Sequence, residues 1–172
     1  MAGTVGRPGD RTFFLQARDS QRVVSVVLEK VQVAVLADRL GDLLSELERS
    51  GVAAGAAPAA GADVTRPLDE PLNEAFRAGS LTLGWDGEAE LVLVEARAQS
   101  EDGEAIDPDE DDDEDEDGPD LLRVRMTADA ARSFVVRAAR FVAAGRPPCP
   151  LCGAPLDPQG HICPRRNGHF VN

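Results

Sequence analysis

The chain has 172 residues, 42% of them apolar but only 4% aromatic, with six Phe, one Trp and no Tyr. That length suits one domain with a small appendage, built on a mostly aliphatic core. No apolar run approaches the ~18 residues of a membrane helix, and Arg7, Asp10 and Arg11 interrupt the start before a signal sequence develops. A cytoplasmic protein with no membrane partner is therefore expected. The net charge of −13 is local: residues 101–120 hold fourteen Asp and Glu and no Lys or Arg, which leaves 18 basic and 17 acidic side chains elsewhere.

In chain order, Gly6-Arg-Pro-Gly-Asp10 reads as a turn and Thr12-Phe-Phe-Leu-Gln-Ala-Arg18 as a strand. Asp19-Ser20-Gln21 turns into the β-branched run Arg22–Leu28. From about Gln32 the period changes. Leu36, Leu40, Leu43, Leu44 and Leu47 fall at helical spacing, and Gly51 stops that helix. Residues 52–68 are small and aperiodic and read as a flexible linker. Ser80–Trp85 and Glu88–Arg97 flank Asp86-Gly87, a hairpin signal in which Gly87 is expected to take positive φ. After the acidic tract, Leu121–Met126 makes a further strand with Leu122, Val124 and Met126 on one face. Thr127 is placed to cap a helix carrying Phe134, Val135, Ala138, Phe141 and Val142, ended by Gly145.

This order predicts an α+β body over residues 1–145: an antiparallel sheet of about five strands, two amphipathic helices on one face and the other face wet. The recurrence of strands leading into a helix points to a candidate internal ββα duplication. Residues 101–120 are expected to be a disordered acidic insertion. Cation binding, mimicry of nucleic-acid phosphate and screening of a basic surface are the sharper options for it.

Residues 146–172 form the most informative segment, because all three Cys and both His lie there. Cys149-Pro-Leu-Cys152-Gly has the shape of a zinc knuckle, and Cys163-Pro resembles the start of an opposing one. Thiolates and imidazole suit Zn²⁺ better than the oxygen-seeking Mg²⁺ or Ca²⁺. The fourth ligand is His161 or His169. His161 lies two residues before Cys163, so an extended segment sends both side chains off one face, whereas His169 needs a loop to return. A redox Cys-x-x-Cys normally opens a helix after a strand, whereas prolines crowd this one. Four candidate protein ligands and a single intervening carboxylate, Asp157, favour structural over catalytic zinc.

The opening Ala2–Arg18 and the closing Gly145-Arg-Pro-Pro-Cys-Pro-Leu-Cys-Gly153 with Gly160-His-Ile-Cys-Pro-Arg165 and Asn167-Gly168 resemble an actinobacterial family known as domain of unknown function 3090. The resemblance covers nearly the whole chain apart from the linker and the acidic tract. In that family Tyr usually follows the final Asn-Gly, where this chain has His169. The resemblance thus favours His161, and it implies no activity, substrate or partner.

No Gly-rich phosphate loop precedes a helix, and no Ser or Cys nucleophile has a spare His. The residues point to a non-enzymatic zinc-binding adaptor or regulatory module whose partner is another protein. A zinc-ribbon nucleic-acid binder using Arg146, Arg165, Arg166, Arg137 and Arg140 is the alternative, and an enzyme with an unrecognised site the second.

Overall fold

In the computed structural model, which describes residues 1–20, 22–52, 66–99, 119–145, 148–153, 163 and 165, three strands open the chain as a meander. β1 (Ala2–Arg7) pairs antiparallel with β2 (Asp10–Arg18), and β2 with β3 (Val23–Leu28). The Asp19 carboxylate accepts from the Arg22 amide at 2.8 Å and closes the second turn. α1 (Lys30–Arg49) follows, opened by a capping box in which Gln32 accepts from the Glu29 amide. β4 (Glu74–Asp86), β5 (Leu91–Ala98) and β6 (Leu121–Met126) form a second antiparallel meander, and α2 (Ala128–Ala143) closes the sequence behind its Thr127 cap. Each half therefore runs three strands and then a helix.

The six strands lie in sequence order in one mostly antiparallel sheet. Two features depart from the expectation of about five antiparallel strands: β1 is additional, and β3 meets β4 in parallel. β4 carries that junction by changing partners. Its first residues pair with Ser25–Val27, and from Ala78 onward it pairs with β5. The register shifts between Ala78 and Ser80, as at a bulge that bends a strand. Gly79 sits there because β5 crosses closely: a Cβ on it would lie 2.9 Å from Gln99 Cα. Gly79→Ala is expected to lower the urea midpoint by the equivalent of about 1–3 kcal/mol, as for other overpacked sites. Gly41→Ala is the control, because it lies in α1 with open space around it and should stabilise by up to about 1 kcal/mol. Equal midpoints for the Gly79 variant and wild type would remove the close approach as the reason for glycine.

The β4–β5 connection also differs from the two-residue hairpin expected. Strand pairing ends at Asp86–Leu91, leaving a four-residue loop. The Asp86 side chain accepts from the Glu88 and Ala89 amides, and Glu90, not Gly87, takes positive φ. The aspartate thus organises the turn as predicted for its type, and the left-handed position falls three residues later.

The core lies between the sheet and the two helices. Phe13, Leu15, Val26, Leu28, Val92, Val94, Ala96 and Leu122 meet Val33, Leu36, Leu40 and Leu44 from α1 and Ala131, Phe134 and Ala138 from α2. Arg132 joins the helices through Glu48 at 2.7 Å and its own-turn Asp129 at 2.8 Å. Contrary to the expectation of a wet second face, Phe14, Gln16, Ser25 and Val27 are also buried. The segment after residue 65 covers that face. Asp69 exchanges backbone bonds with Gln16, whose amide also donates to Ser25 Oγ, and the Leu68 side chain fills the space over Gly3. Arg66 and Leu68, grouped by composition with the linker, thus dock on the body, whereas residues 53–65 lie outside those described. At the other insertion, the Ala98 amide donates to the Asp120 carbonyl at 2.8 Å, so the chain leaves and re-enters a β5–β6 hairpin there. Residues 101–118 of the acidic tract lie outside the described residues.

Candidate metal centre

Beyond α2 the chain is held against the body at its exit, where the Arg11 guanidinium donates to the Ala144 carbonyl. A tight turn follows at Cys149–Gly153. The Gly153 amide donates to the Cys149 carbonyl at 2.8 Å, and Gly153 takes φ +76°, a conformation that favours glycine. The reversal turns backbone amides toward sulfur: the Leu151 N–H reaches Cys149 Sγ at 3.4 Å.

The ligand atoms of Cys149, Cys152 and Cys163 all lie within 4.8 Å of one another. Cys149 and Cys163 are buried, their sulfurs 3.9 Å apart. That separation is far beyond the ~2.05 Å of a disulfide, and all three thiols are free. The amides of Cys152 and Leu151 hold the Cys149 thiol below the ordinary thiol range, against an opposing effect of burial, with further lowering from the Cys152 and Cys163 side chains. A thiolate is the form that binds metal. Three converging sulfurs, one of them in surroundings that ease its ionisation, form a site that can hold a metal ion.

Of the ligands read from the sequence, the structure thus brings together the three cysteines. His161 and His169 lie outside the described residues. The amides of Leu151 and Cys152 are functional groups that a reading of side chains missed. Cys-x-x-Cys-Gly spacing is their signal, since the turn that pairs the thiols also aims the amides. No helix begins at Cys149, so the setting is a turn and not the helix N-terminus of a redox dithiol. Among the arginines considered for nucleic acid, Arg137 is buried. It donates to the Ala2 and Arg66 carbonyls and stacks 5.1 Å over Phe141. Arg140 and Arg165 are exposed, while Arg146 and Arg166 lie outside the described residues.

Fold and site together define an α+β protein with a carboxy-terminal cluster of three cysteines able to hold a metal ion. The chain belongs to the family described as Protein of unknown function (DUF3090), whose model matches residues 1–163 and so includes all three cysteines. No curated protein and no solved structure matches it. Among the described residues no helix is long and apolar enough to cross a membrane.

Proposed function

We propose that the protein is a zinc-binding interaction module, non-enzymatic and cytoplasmic, in which one structural Zn²⁺ is held by Cys149, Cys152, Cys163 and His161. The observation that carries this proposal is the convergence of the three thiols. Tetrahedral arms of about 2.3 Å span an edge of about 3.8 Å, and the Cys149–Cys163 sulfur separation is 3.9 Å. His161 completes the set because it precedes Cys163 by two residues and lies inside the span matched by the family, which His169 does not. When bound, zinc would tie Cys163 to the Cys149 turn, beside which its sulfur already stands. Four protein ligands leave no open position for substrate.

Burial of Arg137 among backbone carbonyls favours a protein partner over nucleic acid, since it withdraws one charge from the basic patch that a phosphate backbone would need. In electrophoretic mobility shifts at low salt, single- and double-stranded DNA and RNA are expected to run unshifted by the zinc-loaded protein. A shift that weakens steeply with added salt would replace the protein partner with nucleic acid.

A further inference from the structure

Among the described residues, the outer edge of β4 lacks a neighbour beyond the point where the strand changes partners. β3 pairs only as far as Arg77, and among the described residues no strand lies along the outer side of Ser80–Asp86. At Ala78 and Gly79 the place of a strand is taken by the Gln32 side chain, whose amide donates to both carbonyls at 3.1 and 3.3 Å. Beyond Gln32 that substitution stops. Exposed edges are usually protected by lysine, proline or a bulge, yet Ser80–Trp85 contains no charged residue and no proline, and the bulge lies behind it at Gly79.

α1 runs beside this edge and leaves a cleft of about 290 Å³ against it. Its walls are Val31, Val35 and Leu36 on the helix and Leu81 and Leu83 on the strand. Val31 and Val35 are 65% and 51% exposed, one helical turn apart, and both face the cleft. Arg39 is the one charged residue of the lining. It stands about 10 Å along the helix from Gln32 and makes no ion pair among the described residues.

We propose that this groove docks an extended segment of a partner protein, which adds as a strand to the outer edge of β4. The partner segment carries apolar side chains at alternate positions and an acidic residue at the Arg39 end. The backbone of Ser80–Asp86 supplies directional hydrogen bonds, as in other strand-addition complexes. Alternate side chains of the guest point into the cleft, where Val31, Val35, Leu81 and Leu83 give them apolar surface. Arg39 supplies the charge that sets polarity, because a guest entered in reverse would leave its carboxylate at Gln32. The proposal gives the interaction module a partner class and rests on that reading only in needing a protein ligand. The thiols take no part.

The test uses the full-length zinc-loaded protein and an array of acetylated heptapeptides. Each has Val, Ile, Leu or Phe at three alternate positions, Thr between them, and Glu or Lys at the last. Trp85, the single tryptophan, lies on β4 and reports binding by its fluorescence. The tightest Glu peptides should bind at least ten times more tightly than their Lys counterparts. Val35→Glu should abolish binding, and Arg39→Glu should reverse the charge preference. Both positions lie in exposed or cleft-facing parts of α1, so melting temperature and zinc content should stay at wild-type values. A failure here therefore leaves the metal proposal standing, and loss of zinc leaves this one standing. No binding by any peptide, or equal binding by wild type and Val35→Glu, would overturn the proposal. So would a dimer in light scattering that Val35→Glu splits, which would assign the groove to a second copy.

Discussion

Replacing His161 with Ala should leave the purified protein without stoichiometric zinc, whereas His169→Ala should keep one zinc per chain. Cys149→Ser and Cys163→Ser should behave as His161→Ala does, since removing any one ligand from a four-ligand site opens it to water and competing chelators. Elemental analysis after dialysis against a chelator provides the readout. Acid should also release the metal, because only thiolate and neutral imidazole bind it and protons compete for both. The direction follows from the Cys149 environment. Amide donors lower its folded value, so the thiolate's contribution to stability is present above the ordinary thiol range and fades as pH falls through the lowered one. The body should outlast the site. Its strands, its helices and the Arg132 bridge from α2 to α1 owe nothing to the cysteines, so circular dichroism should keep most of its amplitude when zinc leaves. Zinc retained by His161→Ala and lost by His169→Ala would exchange the two histidines in the proposal.

Much of this architecture is legible in the residues, and the failures share a cause. Runs with a strong period survive unchanged: the Leu36–Leu47 stripe is α1, and Thr127 caps α2 through a bond from the Ala130 amide at 3.3 Å. β1 escaped because Ala2-Gly-Thr-Val-Gly-Arg7 has two glycines and little β-branched content, which locally argues against a strand. Tertiary packing decides otherwise. The first glycine leaves room for Leu68, and the strand is held from outside by Arg137 on the Ala2 carbonyl. The same contacts explain why residues 66–68 looked like linker: Arg66 is held by Arg137, 71 residues away, and the adjoining Asp69 by Gln16, 53 residues away.

The parallel β3–β4 junction had no local signature either, since a partner change within one continuous strand shows only as a glycine at the bend. The candidate site was legible in its ligand types because metal chemistry restricts which residues can serve. The groove beside β4 was not. Val31 and Val35 read as ordinary members of an apolar helix, and only the sheet order shows that among the described residues no strand lies along the outer side of β4 beside them.

Leu40 separates those two sides of α1. It is fully buried, and it meets Leu15 of β2, Val94 of β5, Val124 and Met126 of β6 and Phe134 of α2 around a small apolar gap. These neighbours come from four elements of both halves, so no single shift can close a space opened among them. Leu40→Ala should therefore cost about 2–5 kcal/mol and fall in the upper part of that range, because the cost rises with the cavity left unfilled. Phe134→Ala removes the α2 side of the same cluster and should cost about 3–5 kcal/mol. The two side chains share this gap, so the double variant should cost less than the sum of the singles. Val31→Ala, 65% exposed on the outer side of the same helix, should stay within about 0.5 kcal/mol of wild type. Urea unfolding followed by circular dichroism measures all four. Wild-type midpoints for both Leu40→Ala and Phe134→Ala would mean that the helices present other faces to the sheet. A large loss from Val31→Ala would mean that the groove wall is already part of the core and has no partner to receive.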